Sequence, residues 1–167
     1  MTAKKNYLIY VVEDNRLYNK LIRDYLEKNN YLNVKSFYSS DECIQSLKGG
    51  IYPDIVLQDY YMDKMNGIDI LRKVKKLHPG SEFIFLTGNE SIDVVVNSIK
   101  YGAFDYIIKN EFALDKVGDK IEKIIRIKEL EKNSKQIRKY KIAFAIVLFL
   151  IVIASILVYV VNIFGVQ

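Results

Sequence analysis

The chain is short of the residues that staple or punctuate a fold: among 167 residues there are two prolines, one cysteine and one histidine. A lone Cys43 excludes an internal disulfide, and it reads as a small core residue in a reducing compartment. A core of adequate size needs no covalent staple at this length. His78 precedes Pro79 in a loop with no ligand partner near it in sequence, so it reads as punctuation. Near the N-terminus, the apolar run Tyr7 to Val12 is too short, and too soon followed by Glu13 and Asp14, for a secretory signal. At roughly 100 to 200 residues per domain, the length holds one core and one appended element, which excludes a large multidomain machine.

Charge is also missing from one whole stretch. Residues 142–167 carry no charged side chain, residues 120–141 carry nine basic and three acidic ones, and residues 1–119 carry 16 and 17. The overall +5 is thus a short basic belt beside a charge-free stretch, the pattern of a membrane-flanking segment and not of a groove that tracks nucleic-acid phosphates.

From Ile142 to Val161 there are 20 uncharged residues, 15 of them Ile, Leu, Val or Phe. As a helix rising about 1.5 Å per residue they span roughly 30 Å, the thickness of a bilayer's hydrocarbon core. Insertion of those side chains is favoured by about 5 to 9 kcal/mol. A buried core helix is the alternative, but a segment apolar on all faces would have to be enclosed completely by the preceding domain. Lys132, Lys135, Arg138, Lys139 and Lys141 precede the segment, so the positive-inside rule keeps the N-terminal domain in the cytoplasm, tethered to the inner membrane. The expected organisation is a folded domain over 1–126, a basic helical stalk over 127–141, a transmembrane helix over 142–163 and a short non-cytoplasmic tail over 164–167. With no proline from Asp119 to Lys141 and no glycine between Gly118 and Gly165, one helix starting near Ala113 can run unbroken into the apolar segment. Its stripe of Val117, Ile121 and Ile124 fades afterwards, which leaves coiled-coil pairing of the stalk undecided.

Within residues 1–126, short β-rich apolar runs alternate with helical patterns five times, which predicts an α/β domain with a parallel sheet. The expected strands are Tyr7 to Val12, Asn33 to Phe37, Ile55 to Gln58, Glu82 to Leu86 and Asp105 to Ile108. Leu17, Leu21, Ile22, Tyr25 and Leu26 recur at helical spacing, Ser39 with Glu42 reads as a capping box, and Gly67 to Lys75 and Ser91 to Lys100 supply two more helices. Gly49, Gly50 and Pro53 mark one loop, and His78, Pro79 and Gly80 another.

Ligands of open parallel sheets bind beyond the carboxyl ends of the strands. There stand Glu13 and Asp14 after the first strand, Asp59 after the third, Thr87 after the fourth and Lys109 after the fifth. With strands about 4.8 Å apart, neighbouring first and third strands would gather three carboxylates, whose mutual repulsion a hard cation such as Mg²⁺ relieves. Taken singly, Glu13 and Asp14 could only cap a helix, Asp59 could be a loop acid and Tyr106 a packed aromatic.

Four stretches together resemble the receiver domain of two-component response regulators: Val11-Val12-Glu13-Asp14-Asn15, Asp59-Tyr60-Tyr61-Met62 with Asn66-Gly67, Phe85-Leu86-Thr87-Gly88, and Gly102 to Lys109. The resemblance covers residues 6 to about 126. It implies a flavodoxin-like, doubly wound, five-stranded parallel sheet in the order 2-1-3-4-5. It implies Asp59 as phosphoacceptor, Asp14 as a direct Mg²⁺ ligand, Glu13 as a largely water-mediated one and Tyr61 as a ligand through its backbone carbonyl. Thr87 and Lys109 would bind phosphoryl oxygens, and Thr87 with Tyr106 would form the switch. The expected partners are a histidine kinase or histidine phosphotransfer protein, a downstream protein, the membrane and a second copy of the chain, without nucleic acid. The chemistry would be Mg²⁺-dependent self-phosphorylation and autodephosphorylation and not turnover of a substrate.

Several positions depart from the family pattern. Asp63 stands where proline is usual and either joins the outer metal shell or faces water. Asn110-Glu111-Phe112 replaces the usual proline after Lys109; the family holds that bond cis, which costs a non-proline residue about 2.5 to 4 kcal/mol and leaves the reach of Lys109 open. Tyr61 and Asn89 occupy positions that tune water access, and a bulky Tyr61 predicts slow hydrolysis.

Competing functions fare less well. Glu13 and Asp14 would repel a flavin phosphate. An aspartyl-nucleophile phosphatase needs a second Asp where Tyr61 stands. Residues 127–167 have no room for a helix-turn-helix output domain. The remaining rival is a degenerate, unphosphorylated receiver acting as a membrane scaffold.

Overall fold

The computed structural model describes residues 6–62, 67–88, 96 and 98–164. The chain divides into two units, Met1–Ile125 and Arg126–Gln167. In the first, the strands are β1 (Ile9–Val12), β2 (Val34–Phe37), β3 (Ile55–Asp59), β4 (Glu82–Thr87) and β5 (Asp105–Ile108), and the helices are α1 (Arg16–Lys28), α2 (Ser40–Leu47) and α3 (Gly67–Leu77). A last helix, α4, spans Ala113–Phe164 and belongs to both units. The five strands form one parallel sheet in the order β2-β1-β3-β4-β5, as the resemblance implied. The helix expected over Ser91 to Lys100 lies largely outside the described residues; Val96 and Ser98 to Lys100 are helical. Asp63, Asn66, Asn89 and Gly165 to Gln167 also lie outside them.

β1 and β3 are buried along their whole length, which is why they read as continuous apolar runs and not as alternating ones. Alternation still sorts their side chains between two cores. Tyr10, Val12, Val56, Phe83 and Phe85 face one side, with Cys43 and Leu47 of α2 and Ile70, Leu71 and Val74 of α3. Ile9, Val11, Ile55, Leu57, Ile84, Leu86 and Ile107 face the other, with Ile22 and Leu26 of α1 and Ala113, Val117, Ile121 and Ile124 of α4. Each such fully buried aliphatic side chain contributes about 1.5 to 3 kcal/mol.

The helix starts follow their caps. Asn15 Oδ1 accepts from the amides of Leu17 and Tyr18, both at 3.1 Å, and so opens α1. Ser39 Oγ accepts from the Glu42 amide at 3.2 Å, as the capping box predicts, but Glu42 reaches back one residue further and takes the Tyr38 amide at 2.9 Å. The buried stripe of α1 differs from the sequence expectation. Leu17, 83% exposed, and Leu21 face solvent, whereas Asn19, Ile22 and Leu26 are buried. The phase of the helix is set by Asn19, whose Nδ2 donates at 3.1 Å to the carbonyls of both Glu13 and Phe37.

In the second unit α4 continues through the apolar segment without a break. It is long and apolar enough to cross a membrane: its most apolar 18-residue window has a mean hydropathy of 3.1, with none of that window buried inside the chain.

Candidate functional site

Register places the reactive side chains. In the β1–β3 pairing Val12 lies beside Gln58, so the next residues, Glu13 and Asp59, come together at the carboxyl ends. This is the switch point of the sheet, because the chain leaves β1 toward β2 on one side and β3 lies on the other. By alternation Glu13 continues the row of Ile9 and Val11, and Asp59 the row of Ile55 and Leu57, so both side chains lie on the α1 side. Asp14 completes the cluster: one oxygen of each of Glu13, Asp14 and Asp59 lies within 4.8 Å of the others.

Lys109 closes the site from β5. Its amide donates to the Thr87 carbonyl at 2.8 Å, carrying the β4–β5 pairing one step past the strand end. Its Nζ then reaches Asp59 Oδ2 at 2.8 Å and Glu13 Oε2 at 2.7 Å. This reach needs no proline, since no cis peptide occurs among the described residues. Asn110 turns the chain instead: its Oδ1 accepts from the Phe112 amide at 3.1 Å, and its carbonyl from the Ala113 amide at 3.0 Å.

Glu13 is 1% exposed; its Oε2 is ion-paired with Lys109 Nζ, while Oε1 has no partner among the described residues. Burial pushes its carboxyl from 4.5 up to about 7; the Lys109 contact opposes this and the Asp59 and Asp14 charges add to it. For Lys109, burial works against the ammonium, but bonds to Asp59 and Glu13 outweigh it and the net shift is upward. Three clustered carboxylates with one ammonium between two of them leave excess negative charge, and the orphaned Oε1 is an unused oxygen ligand. The donor set therefore fits a hard divalent cation such as Mg²⁺.

Tyr61 stands two residues after Asp59, and its amide donates to Asp59 Oδ1 at 3.2 Å. Its ring is 54% exposed and meets Tyr60 edge-on, centroids 5.0 Å apart. Thr87 is fully buried at the end of β4, and Tyr106 is half-buried against the opposite core. Phe85 pairs with Tyr106 and Thr87 with Ile108, so alternation puts Thr87 and Tyr106 on one face, away from Lys109. Of the seven residues singled out in the sequence, Glu13, Asp14, Asp59, Tyr61, Thr87 and Lys109 lie at or next to the carboxyl edge of the sheet, and Tyr106 lies within β5, paired with Phe85. Two that sequence reasoning missed are Asn19, which ties the Glu13 backbone to β2, and Tyr18, whose ring lies under Lys109 Nζ at 4.9 Å. Their only signal is their place in the first turn after the acidic pair, which an ordinary amphipathic helix also shows.

Residues 9–122 match the response regulator receiver domain family. The chain belongs to that family. Among curated proteins it is similar to the luminescence regulatory protein LuxO of Vibrio campbellii, 35% identical over 99 residues, or 59% of this chain and 21% of that protein. It is also similar to the transcriptional regulatory protein MalR of Bacillus subtilis, 28% identical over 101 residues, or 60% of this chain and 43% of that protein. The chain thus spans less than half the length of either relative. Among solved structures, a receiver domain protein from Clostridium thermocellum has a TM-score of 0.68 at 30% identity, covering 74% of this chain and 98% of the other. A CheY-like receiver domain protein from Methanospirillum hungatei has a TM-score of 0.68 at 26% identity, covering 75% and 98%. The receiver domain supplies phosphoacceptor function in two-component signalling, and a histidine kinase or phosphotransfer protein is the class of partner it implies.

Proposed function

We propose that this receiver accepts a phosphoryl group on Asp59, and that the observation carrying this reading is the bridge of Lys109 Nζ between Asp59 and Glu13 inside the carboxylate cluster. Glu13, Asp14, Asp59 and the Tyr61 carbonyl would hold Mg²⁺, which when bound neutralises charge on the phosphoryl oxygens. An Asp59 oxygen attacks phosphorus as the bond to the donor imidazole nitrogen breaks, and the electron pair returns to that nitrogen. Lys109 turns from the carboxylate to a phosphoryl oxygen, so the ammonium that pairs the resting site also neutralises the transferred group. While the acyl phosphate persists, Thr87 moves toward it, and Tyr106, on the same face, fills the space it leaves. Autodephosphorylation ends this state: a water oxygen bonds to phosphorus as the acyl oxygen–phosphorus bond breaks, which releases inorganic phosphate and restores the Asp59 carboxylate.

In this reading residues 1–126 are the receiver and 127–141 a basic stalk. Residues 142–163 are a single-pass anchor in the inner membrane, 164–167 lie beyond it, and the receiver is in the cytoplasm. The exposure of the apolar window supports a membrane span over a core helix. Phosphorylation then alters pairing of two copies or docking of a downstream protein beside the bilayer. The test is acetyl phosphate or beryllofluoride with Mg²⁺, read by intact-protein mass spectrometry or by tyrosine fluorescence. Wild type reacts and Asp59→Asn does not; a wild type that neither reacts nor binds leaves the unphosphorylated scaffold as the function. Carbonate extraction tests the anchor, and release of the chain from membranes overturns it.

A further inference from the structure

Lys109 Nζ has carboxylate oxygens on two sides, and on a third the face of Tyr18, whose centroid is 4.9 Å away. An ammonium at that distance over an aromatic face is held by the ring quadrupole. The backbone of Tyr18 is itself fixed. Its amide donates to Asn15 Oδ1 at 3.1 Å in the first turn of α1, and the neighbouring Asn19 is bonded to the Glu13 carbonyl. The Tyr18 hydroxyl is shielded from solvent and has no hydrogen-bond partner among the described residues. Burial raises its pKa, with Lys109 opposing and Glu13 and Asp59 adding, so the phenol stays neutral and meets Lys109 through its π face. From this geometry we infer that Tyr18 is a positioning residue for phosphoryl transfer, its ring keeping the Lys109 ammonium beside Asp59, where it meets the phosphoryl oxygens. The inference rests on Asp59 being the phosphoacceptor.

The experiment compares the full chain in detergent as wild type, Tyr18→Phe and Tyr18→Leu, with Tyr18→Met in place of the leucine variant should that one fail to fold. The first readout does not depend on phosphorylation: ring current moves the Lys109 Hε resonance upfield in wild type and Tyr18→Phe, and the shift disappears without the ring. The second is the rate of acyl phosphate formation from acetyl phosphate at saturating Mg²⁺. It stays near wild type in Tyr18→Phe and falls about fivefold without the ring, a loss of cation–π size. In a Lys109→Ala background the same substitution has no further effect. An unshifted Lys109 Hε in wild type, equal slowing in Tyr18→Phe, or full slowing in the Lys109→Ala background overturns the inference. A normal Hε shift in a wild type that is never phosphorylated overturns the phosphoacceptor reading and with it the kinetic role of Tyr18.

Discussion

The hydroxyl of Tyr25 on α1 occupies the position that a side chain on Gly118 of α4 would take. The first turns of α4 lie on the sheet through Ala113, Val117 and Ile121, and Gly118 is where α1 comes against them. Gly118→Ala is therefore expected to destabilise the receiver by about 1 to 3 kcal/mol, despite alanine's better helix propensity. Adding Tyr25→Phe removes the contacted oxygen and leaves the next ring atom at 3.4 Å, so the double variant should recover most of the loss. Urea midpoints of the full chain in detergent, followed by near-ultraviolet circular dichroism, measure both; additive effects would show that the two positions do not touch.

Glu13 makes metal-free stability depend on pH. Its carboxyl is at about 7 folded against an ordinary 4.5, so between those values the folded chain keeps a proton that the unfolded chain has lost. Its contribution is fully present below about 4.5 and is lost as pH rises through about 7, a change of a few kcal/mol at most at about 1.4 kcal/mol per pKa unit. Glu13→Gln should flatten this dependence, raise the melting temperature in chelator at pH 8, and weaken the stabilisation that added Mg²⁺ confers. Melting curves at pH 5.5 and 8, with chelator and with Mg²⁺, decide it; an unchanged pH dependence in the variant would show that Glu13 is ionised throughout.

Lys109 and a divalent cation answer the same excess of negative charge. Lys109→Ala should bind Mg²⁺ more tightly, because a like charge has left the site, yet accept a phosphoryl group at least tenfold more slowly. Calorimetric titration with Mg²⁺ and phosphorylation rates separate the two effects. Loss of both together would mean that the substitution had merely disordered the site.

Cys43 is fully buried, and burial pushes its thiol up to about 12. Only the thiolate reacts with alkylating or disulfide reagents. At pH 8 the folded chain should label no faster than it unfolds, and urea should release full reactivity. Rapid labelling of the native chain would show that the core between α2 and the sheet opens without global unfolding.

Much of the fold and site is legible in one dimension. β1, β3 and β4 are buried runs, and a run covered on both faces leaves an apolar stretch that ends where the polar site begins, at Glu13, Asp59 and Thr87. The continuity of α4 is equally legible, since a helix persists where no proline or glycine interrupts it. The phase of α1 is not: Leu17 and Leu21 match an apolar stripe as well as Ile22 and Leu26 do, and only the carbonyls of Glu13 and Phe37, which Asn19 reaches, select which face turns inward. The turn after Lys109 is another such place, because the role expected of a proline is taken by the Asn110 side chain.

The sequence by itself determined which residue types stand at the strand ends and where the long apolar helix lies, because burial and length leave their mark on consecutive residues. Only the tertiary structure decided that Glu13 and Asp59 share one ammonium and that Tyr18 lies beneath it. Those contacts join positions up to 96 residues apart (109 − 13), and their geometry follows from strand register and helix phase, which no local pattern specifies.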